Sequence, residues 1–394
     1  MTGDSGKAAT HWPLLDFMRA NAALLVVFAH SRAFYFLNVD QIDRPGPLLW
    51  LFYFITDLGH QAVVIFFILS GFLIGGSLTK SIRQGRFDLV RYLIARFARI
   101  YAVYFPALII TQLIFLFGLL VLNDPPEGPL TSHLQLDFGG VAQAICFVSG
   151  LQGFSCRAWE QNPALWSLGY EWALYLFAPA ILLAILWNAS RGLRLLTLVL
   201  ICAIALTICH YPKEAVFWFS AWFGGALSRH VLQSRPLPLP AGVAGVALIV
   251  AGMVLRHERV ATELETDSMI AIGAAVAIAC RPLVSFPLAP RFFGWAADFS
   301  YTLYAIHLPL VFFTVAAFQG AGFPRVNVAP APAPFLELGV TIAVCVLGAF
   351  LVSRVFETRT GQIRSALMNL RQPAAGPPED QAGAKTPQAL EKTS

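Results

Sequence analysis

Ten stretches of this sequence stay apolar for long enough to cross a lipid bilayer, near residues 14–37, 59–78, 101–123, 165–187, 193–210, 215–232, 238–256, 268–286, 297–318 and 336–355. A helix needs about 20 such residues to traverse the hydrocarbon core, where backbone polar groups must be satisfied inside the protein. The fold class expected is therefore all-α: a polytopic membrane helix bundle of about ten transmembrane helices. Charge usage agrees, since 12% of residues are charged where a soluble domain carries roughly 25%. Two shorter apolar pieces, 48–56 and 138–151, are too short to span and are expected to be interfacial or re-entrant.

Charge also sets the orientation. With ten spans and a cytoplasmic amino terminus, the inner loops (79–100, 188–194, 229–239, 281–294 and 354–372) hold 16 Lys and Arg against seven on the opposite side. Letting 138–151 cross would invert every later loop against the positive-inside rule. Both termini are thus expected in the cytoplasm. The first apolar run is about twice as long as a signal-peptide core, so it should remain as an anchor. The domain reading is a cytoplasmic segment at 1–13, a membrane domain at 14–360 and a tail at 361–394. From residue 371 on, the tail is polar and rich in Pro and Ala, a composition that buries no core.

The formal charge of +5 is accounted for by loop arginines, without a basic patch interleaved with aromatics, so no nucleic-acid partner is expected. The six cysteines (Cys146, Cys156, Cys202, Cys209, Cys280 and Cys345) show neither zinc-ligand nor redox-motif spacing, and are expected to be packing residues. No metal site and no tightly bound cofactor are expected.

An ionisable group within a span is costly and is a functional candidate by default. The first span carries Asp16, Arg19 and His30. Arg19 and His30 are eleven residues apart, about three turns, which puts them on one face roughly 16 Å apart along the axis. Arg19 has an alternative as an interfacial residue paired with Asp16, and His30 as a simple interhelical hydrogen-bonding group. Histidine is also the side chain best matched to general-base work near neutral pH. In the second span, Ser70, Gly71, Gly75 and Gly76 suit close helix packing. Ser70 is a weak nucleophile candidate because its own helix offers no base. Arg96 and Arg99 share a helix face beside the third span and suit a phosphate-bearing ligand. Glu171 opens the fourth span among aromatic rings, where a carboxylate must be paired or wet. Tyr304 and His307 lie in the ninth, and Pro309 leaves a free carbonyl that His307 could satisfy.

Five segments in this order resemble the acyltransferase 3 family of membrane acyltransferases: Arg19 to His30, FFILSGFLI at 66–74, RFARIY at 96–101, WSLGYEW at 166–172 and DFSYTLYAIHLPL at 298–310. The resemblance covers most of residues 14–360. It implies a bacterial inner-membrane enzyme using an acyl-CoA co-substrate, acetyl-CoA by analogy, from the cytoplasm. The acceptor would be a hydroxyl of a carbohydrate or lipid-linked glycan. His30 would match the essential histidine, as base or as nucleophile, Arg19 its partner, and Arg96 and Arg99 the donor-associated pair. Gly169-Tyr170 precede Glu171 where members often carry a small residue and Val. The competing reading is a glycolipid or small-molecule transporter or flippase, which would also need buried His, Glu and Arg but usually shows an inverted repeat.

Overall fold

The computed structural model describes residues 12–43, 45–121, 140–285, 291–322 and 328–370. Among these, helices account for nearly all regular structure, and only isolated bridges such as Phe36–Val328 replace strands. In chain order the helices are α1 Pro13–Tyr35, α2 Pro47–Thr56, α3 Gly59–Ser70, α4 Gly76–Arg83, α5 Leu89–Val121, α6 Val141–Val148, α7 Trp166–Leu186 and α8 Arg191–Ile208. They continue with α9 Pro212–Ser234, α10 Leu239–His257, α11 Glu263–Ile278, α12 Arg281–Val284, α13 Arg291–Asp298, α14 Ser300–Gly320, α15 Pro332–Val355 and α16 Thr360–Asn369. A π-helical segment, Gly71–Gly75, joins α3 to α4, so the second span runs without a break from Gly59 to Arg83.

Eight of these segments are long and apolar enough to cross a membrane. The two other expected spans correspond to α9, whose first turn carries Glu214, and to α11, which has 16 residues and opens on Glu263 and Glu265. The bundle is apolar on its outer face as well as in its core. On α8, Leu195, Leu196, Val199 and Leu200 are exposed, as suits a helix whose outer face meets lipid. At the centre, α14 buries Tyr304, Ile306, His307 and Val311 and packs against α1, α5 and α15.

Small residues set the closest helix approach, as the glycine pattern of the second span suggested. A Cβ on Gly71 would sit 1.8 Å from the Trp222 carbonyl oxygen, and one on Gly225 2.0 Å from that of Ile68. The second span and α9 therefore touch backbone to backbone, which no larger residue would permit.

The short apolar pieces do not span. α2 has ten residues and α6 eight. The chain after α6 turns inward against the first half of α5, where the Tyr104 hydroxyl donates to the Phe147 carbonyl at 2.6 Å and the Tyr101 hydroxyl to that of Ser149 at 2.5 Å. Irregular backbone at such depth needs protein partners of this kind. Residues 138 and 139 lie outside the described set.

Two cysteines depart from the packing role expected for all six. Cys146 and Cys156 form a disulfide that closes this inward turn. Their ten-residue separation matches no motif, and only the fold brings them together. Past the last span, α16 occupies the first residues of the expected tail; residues 371–394 lie outside the described set.

Candidate active site

A cavity of about 560 Å³ opens between α1, α3, α4, α5, α7, α13, α14 and α16. The residues of the second span that line it run from Val63 to Ser77, about 20 Å of helical rise. Most of the candidate residues converge on it: Arg19, Ser70, Arg96, Arg99, Glu171 and Tyr304 all line its wall. They come from five helices that are far apart in sequence.

Each charge in the wall has a distinct setting. Asp16 pairs with Arg19, Oδ1 to Nη2 at 3.5 Å. Arg99 Nη1 donates to Glu357 Oε1 at 2.7 Å, and the other carboxylate oxygen accepts from the Thr302 hydroxyl at 2.6 Å. The Arg99 guanidinium also lies 4.9 Å from the centre of the Tyr301 ring. Arg96 stacks over Tyr92 and Tyr175, at 5.9 and 5.7 Å, with no carboxylate in ion-pair range among the described residues. Glu171 is neither stray nor purely wet: Ser70 donates to its Oε1 at 3.2 Å, and the Tyr175 hydroxyl donates to the same oxygen. Trp222 Nε1 donates in turn to Ser70 Oγ at 3.1 Å. Ser70 thus has a carboxylate beside it, supplied by a different helix.

His30 and His307 do not line the cavity. They form a pair just beyond it, with Nδ1 of His30 and Nε2 of His307 2.8 Å apart. The cavity ends at Val63, Phe66, Ser167 and Tyr304. Val63 is four residues from Gly59, which packs on Ala29 next to His30, so the separation is about one helical turn. The Tyr304 ring stands between the two compartments, 5.8 Å from that of Phe66 and 5.9 Å from the His307 imidazole.

The bonds around the pair fix its tautomers. His307 Nδ1 lies 2.7 Å from the Tyr304 carbonyl oxygen, and a carbonyl only accepts, so Nδ1 carries the proton. Neutral His307 then presents a lone pair at Nε2, and His30 Nδ1–H must donate to it. His30 Nε2 is left as the free basic nitrogen. His307 is fully buried, whereas His30 is half-buried.

The proline explanation offered for His307 falls to another residue. Pro309 cannot donate to the carbonyl four residues back, that of Ala305; this oxygen instead accepts from Asn162 Nδ2 at 2.9 Å. Asn162 therefore satisfies the carbonyl that Pro309 leaves open, and His307 is free to address His30.

Sequence reasoning missed Glu357, Thr302 and Asn162 as partners, and Arg364 as a residue of the cavity mouth. Elsewhere, His60 lies with Nε2 2.7 Å from Asp267 Oδ2 and 3.3 Å from Glu263 Oε1. These are donor types able to hold a cation, but Arg256 already bonds Glu263 at 3.1 Å, and the set stands apart from the cavity.

With this geometry in place, comparison with known proteins is informative. Residues 12–354 match the family model described as an acyltransferase domain. The chain belongs to this acyltransferase family. The matched segment takes in α1 to α15 and ends before Glu357 and α16. An uncharacterized protein of Haemophilus influenzae is 30% identical over 160 residues, 39% of this chain and 63% of that one. The protein named protein 2 in picA locus, of Rhizobium radiobacter, is 33% identical over 168 residues, 42% of this chain and 72% of that one. The chain thus spans 63% of the length of the first of these relatives and 72% of the second. No solved structure matches.

Proposed function

We propose that the protein transfers an acyl group, acetyl being the simplest, from cytoplasmic acyl-CoA to a hydroxyl of a carbohydrate or glycolipid acceptor. The observation that carries this reading is the His30–His307 pair set one turn beyond the inner end of an arginine-lined cavity. An acyl-CoA has the same anatomy: phosphates at one end, a thioester at the other, and a neutral arm between. That arm is a chain of about twelve bonds, reaching roughly 14 Å at the extension of a peptide chain. The eleven residues from Arg19 to His30 rise roughly 16 Å, so phosphates held at the arginines bring the thioester close to the histidines.

The chemistry asks little more of the protein. In the base reading, His30 Nε2 takes the proton of the acceptor hydroxyl, and the oxygen attacks the thioester carbonyl. The carbon–sulfur bond then breaks, and the CoA thiolate leaves with the proton from His30. In the nucleophile reading, Nε2 itself carries the acyl group between two such steps. In both, His307 Nε2 accepts from His30 Nδ1–H and stabilises the imidazolium as charge develops. Tyr304 and Phe66 shield the thioester from water.

Two features support a cytoplasmic cavity mouth. The arginine-rich loops fall on that side, as the positive-inside rule requires. The Cys146–Cys156 disulfide belongs to a connection on the other side, and disulfides persist in oxidising compartments.

The test is consumption of acetyl-CoA by the purified protein, read as CoA thiol release in the presence of a cell-envelope glycolipid extract. Release well above that of a His30→Ala control is expected. A carrier would leave the thioester intact, so absence of thiol release with every extract would overturn the reading. Mass spectrometry of the reacted extract then identifies the acceptor by an acyl-sized mass increase.

A further inference from the structure

Four arginines line the cavity, Arg19, Arg96, Arg99 and Arg364, and they differ in what neutralises them. Arg19 has Asp16 and Arg99 has Glu357, so each is already matched by a carboxylate. Arg96 makes only ring contacts, and its Nε is buried with no hydrogen-bond partner. Arg364 is exposed, with no ion pair or hydrogen bond among the described residues. The cavity also holds the carboxylates Glu171 and Asp298, but among the described residues neither Arg96 nor Arg364, from two different helices, has a carboxylate in ion-pair range.

The placement of Arg364 is not that of a loose tail. Thr360, Gly361 and Arg364 all line the cavity, and Arg364 lies three and four residues from the other two, the spacings that share a helix face. Glu357 anchors the entry to α16: it bonds Arg99 of α5 and Thr302 of α14, and its carbonyl accepts from the Thr360 hydroxyl at 2.7 Å. α16 then packs along α5. Glu357 and α16 follow residue 354, where the family match ends.

We infer that Arg364 and Arg96 together bind the phosphate groups of the donor, so that a helix beyond the family match completes its binding site, while Arg99 is a positioning residue that holds Glu357 and α16 in place. This rests on the reading of the cavity as an acyl-CoA site. Two guanidinium groups without carboxylates suit a ligand bearing several phosphates, each of which accepts paired N–H bonds. A donor lacking phosphates would gain nothing from either residue.

The inference is tested on the full chain in detergent, with CoA as the titrated probe. Arg364→Ala and Arg96→Ala should each weaken CoA binding by about tenfold or more, the scale of one lost charge-assisted contact. Unliganded Arg364→Ala should melt as the wild type does, and Arg364→Lys should recover part of the affinity. Arg359→Ala removes a charge from the same segment without touching the cavity wall and should bind CoA normally. Wild-type CoA affinity in Arg364→Ala overturns the inference and leaves the acyl-CoA reading standing. So does a lowered melting temperature that accounts for the loss, or an equal loss in Arg359→Ala. Failure of the wild type itself to bind CoA overturns both.

Discussion

At the arginine end of the cavity, four guanidinium groups line the wall, and two of them are bonded to carboxylates. A turn beyond the inner end, two imidazoles face each other at 2.8 Å, and no carboxylate bonds to either among the described residues. The contrast follows from what each group costs to bury. A guanidinium keeps its charge everywhere, so inside a bundle it must have a counter-charge or await one. An imidazole can be neutral, so it can be sealed in an apolar environment and charge only transiently. The mouth is thus built to recognise, and the inner pair to react.

The sharpest way to break this division is at His30. His30→Ala should lower turnover by about 10²-fold or more, the scale of a lost general base, while CoA binding and the melting temperature stay near wild type. Comparable loss of CoA binding in this variant would merge the two ends into one site and remove the division. On the mouth side, Glu357→Leu should destabilise the protein by about 1 to 3 kcal/mol, because Arg99, about a third exposed at the cavity wall, loses its counter-charge. Pairing it with Arg99→Leu should return much of that loss, since charge and counter-charge are then removed together. A double variant no more stable than Glu357→Leu alone would show that the pair is not a closed unit.

A smaller effect sharpens the inner end. His307 contributes only the acceptor for His30 Nδ1–H, so His307→Leu should lower kcat by roughly tenfold, the worth of one positioning hydrogen bond, with KM for acyl-CoA unchanged. His307→Gln keeps an acceptor and should recover most of the rate. Equal defects in the two variants would point to packing rather than to tautomer control.

The sequence made the bundle legible because membrane spans announce themselves locally, in runs of about 20 apolar residues. The same local logic singled out Arg19, His30, Glu171 and His307, since a polar group stands out against an apolar run. What it left dark were the pairings. Glu357 lies 258 residues from Arg99, just past the last span in a loop that the sequence marks only by its positive charge. Asn162 looks like an ordinary loop residue until the carbonyl freed by Pro309 is found in front of it. Arg99 was legible as a cation but not as a compensated one, because its counter-charge exists only in three dimensions. Cys146 and Cys156 could be counted but not paired for the same reason.

The π-helical turn at Gly71–Gly75 has a consequence for how this protein can change over time. Such a turn holds one residue more than the α-helix around it, and here it separates Ser70, which bonds Glu171, from Ser77, which also lines the cavity. The wide turn covers about the same rotation with that extra residue, so losing one residue there would leave a regular helix whose two ends keep their faces. Ser70 and Ser77 would both still be presented to the cavity. A second loss has no spare residue to draw on and would rotate one side of the turn by about 100° relative to the other. The second span can therefore shed one residue between Ser70 and Ser77 without turning either serine away, and a single gap should be found there where a double gap is not.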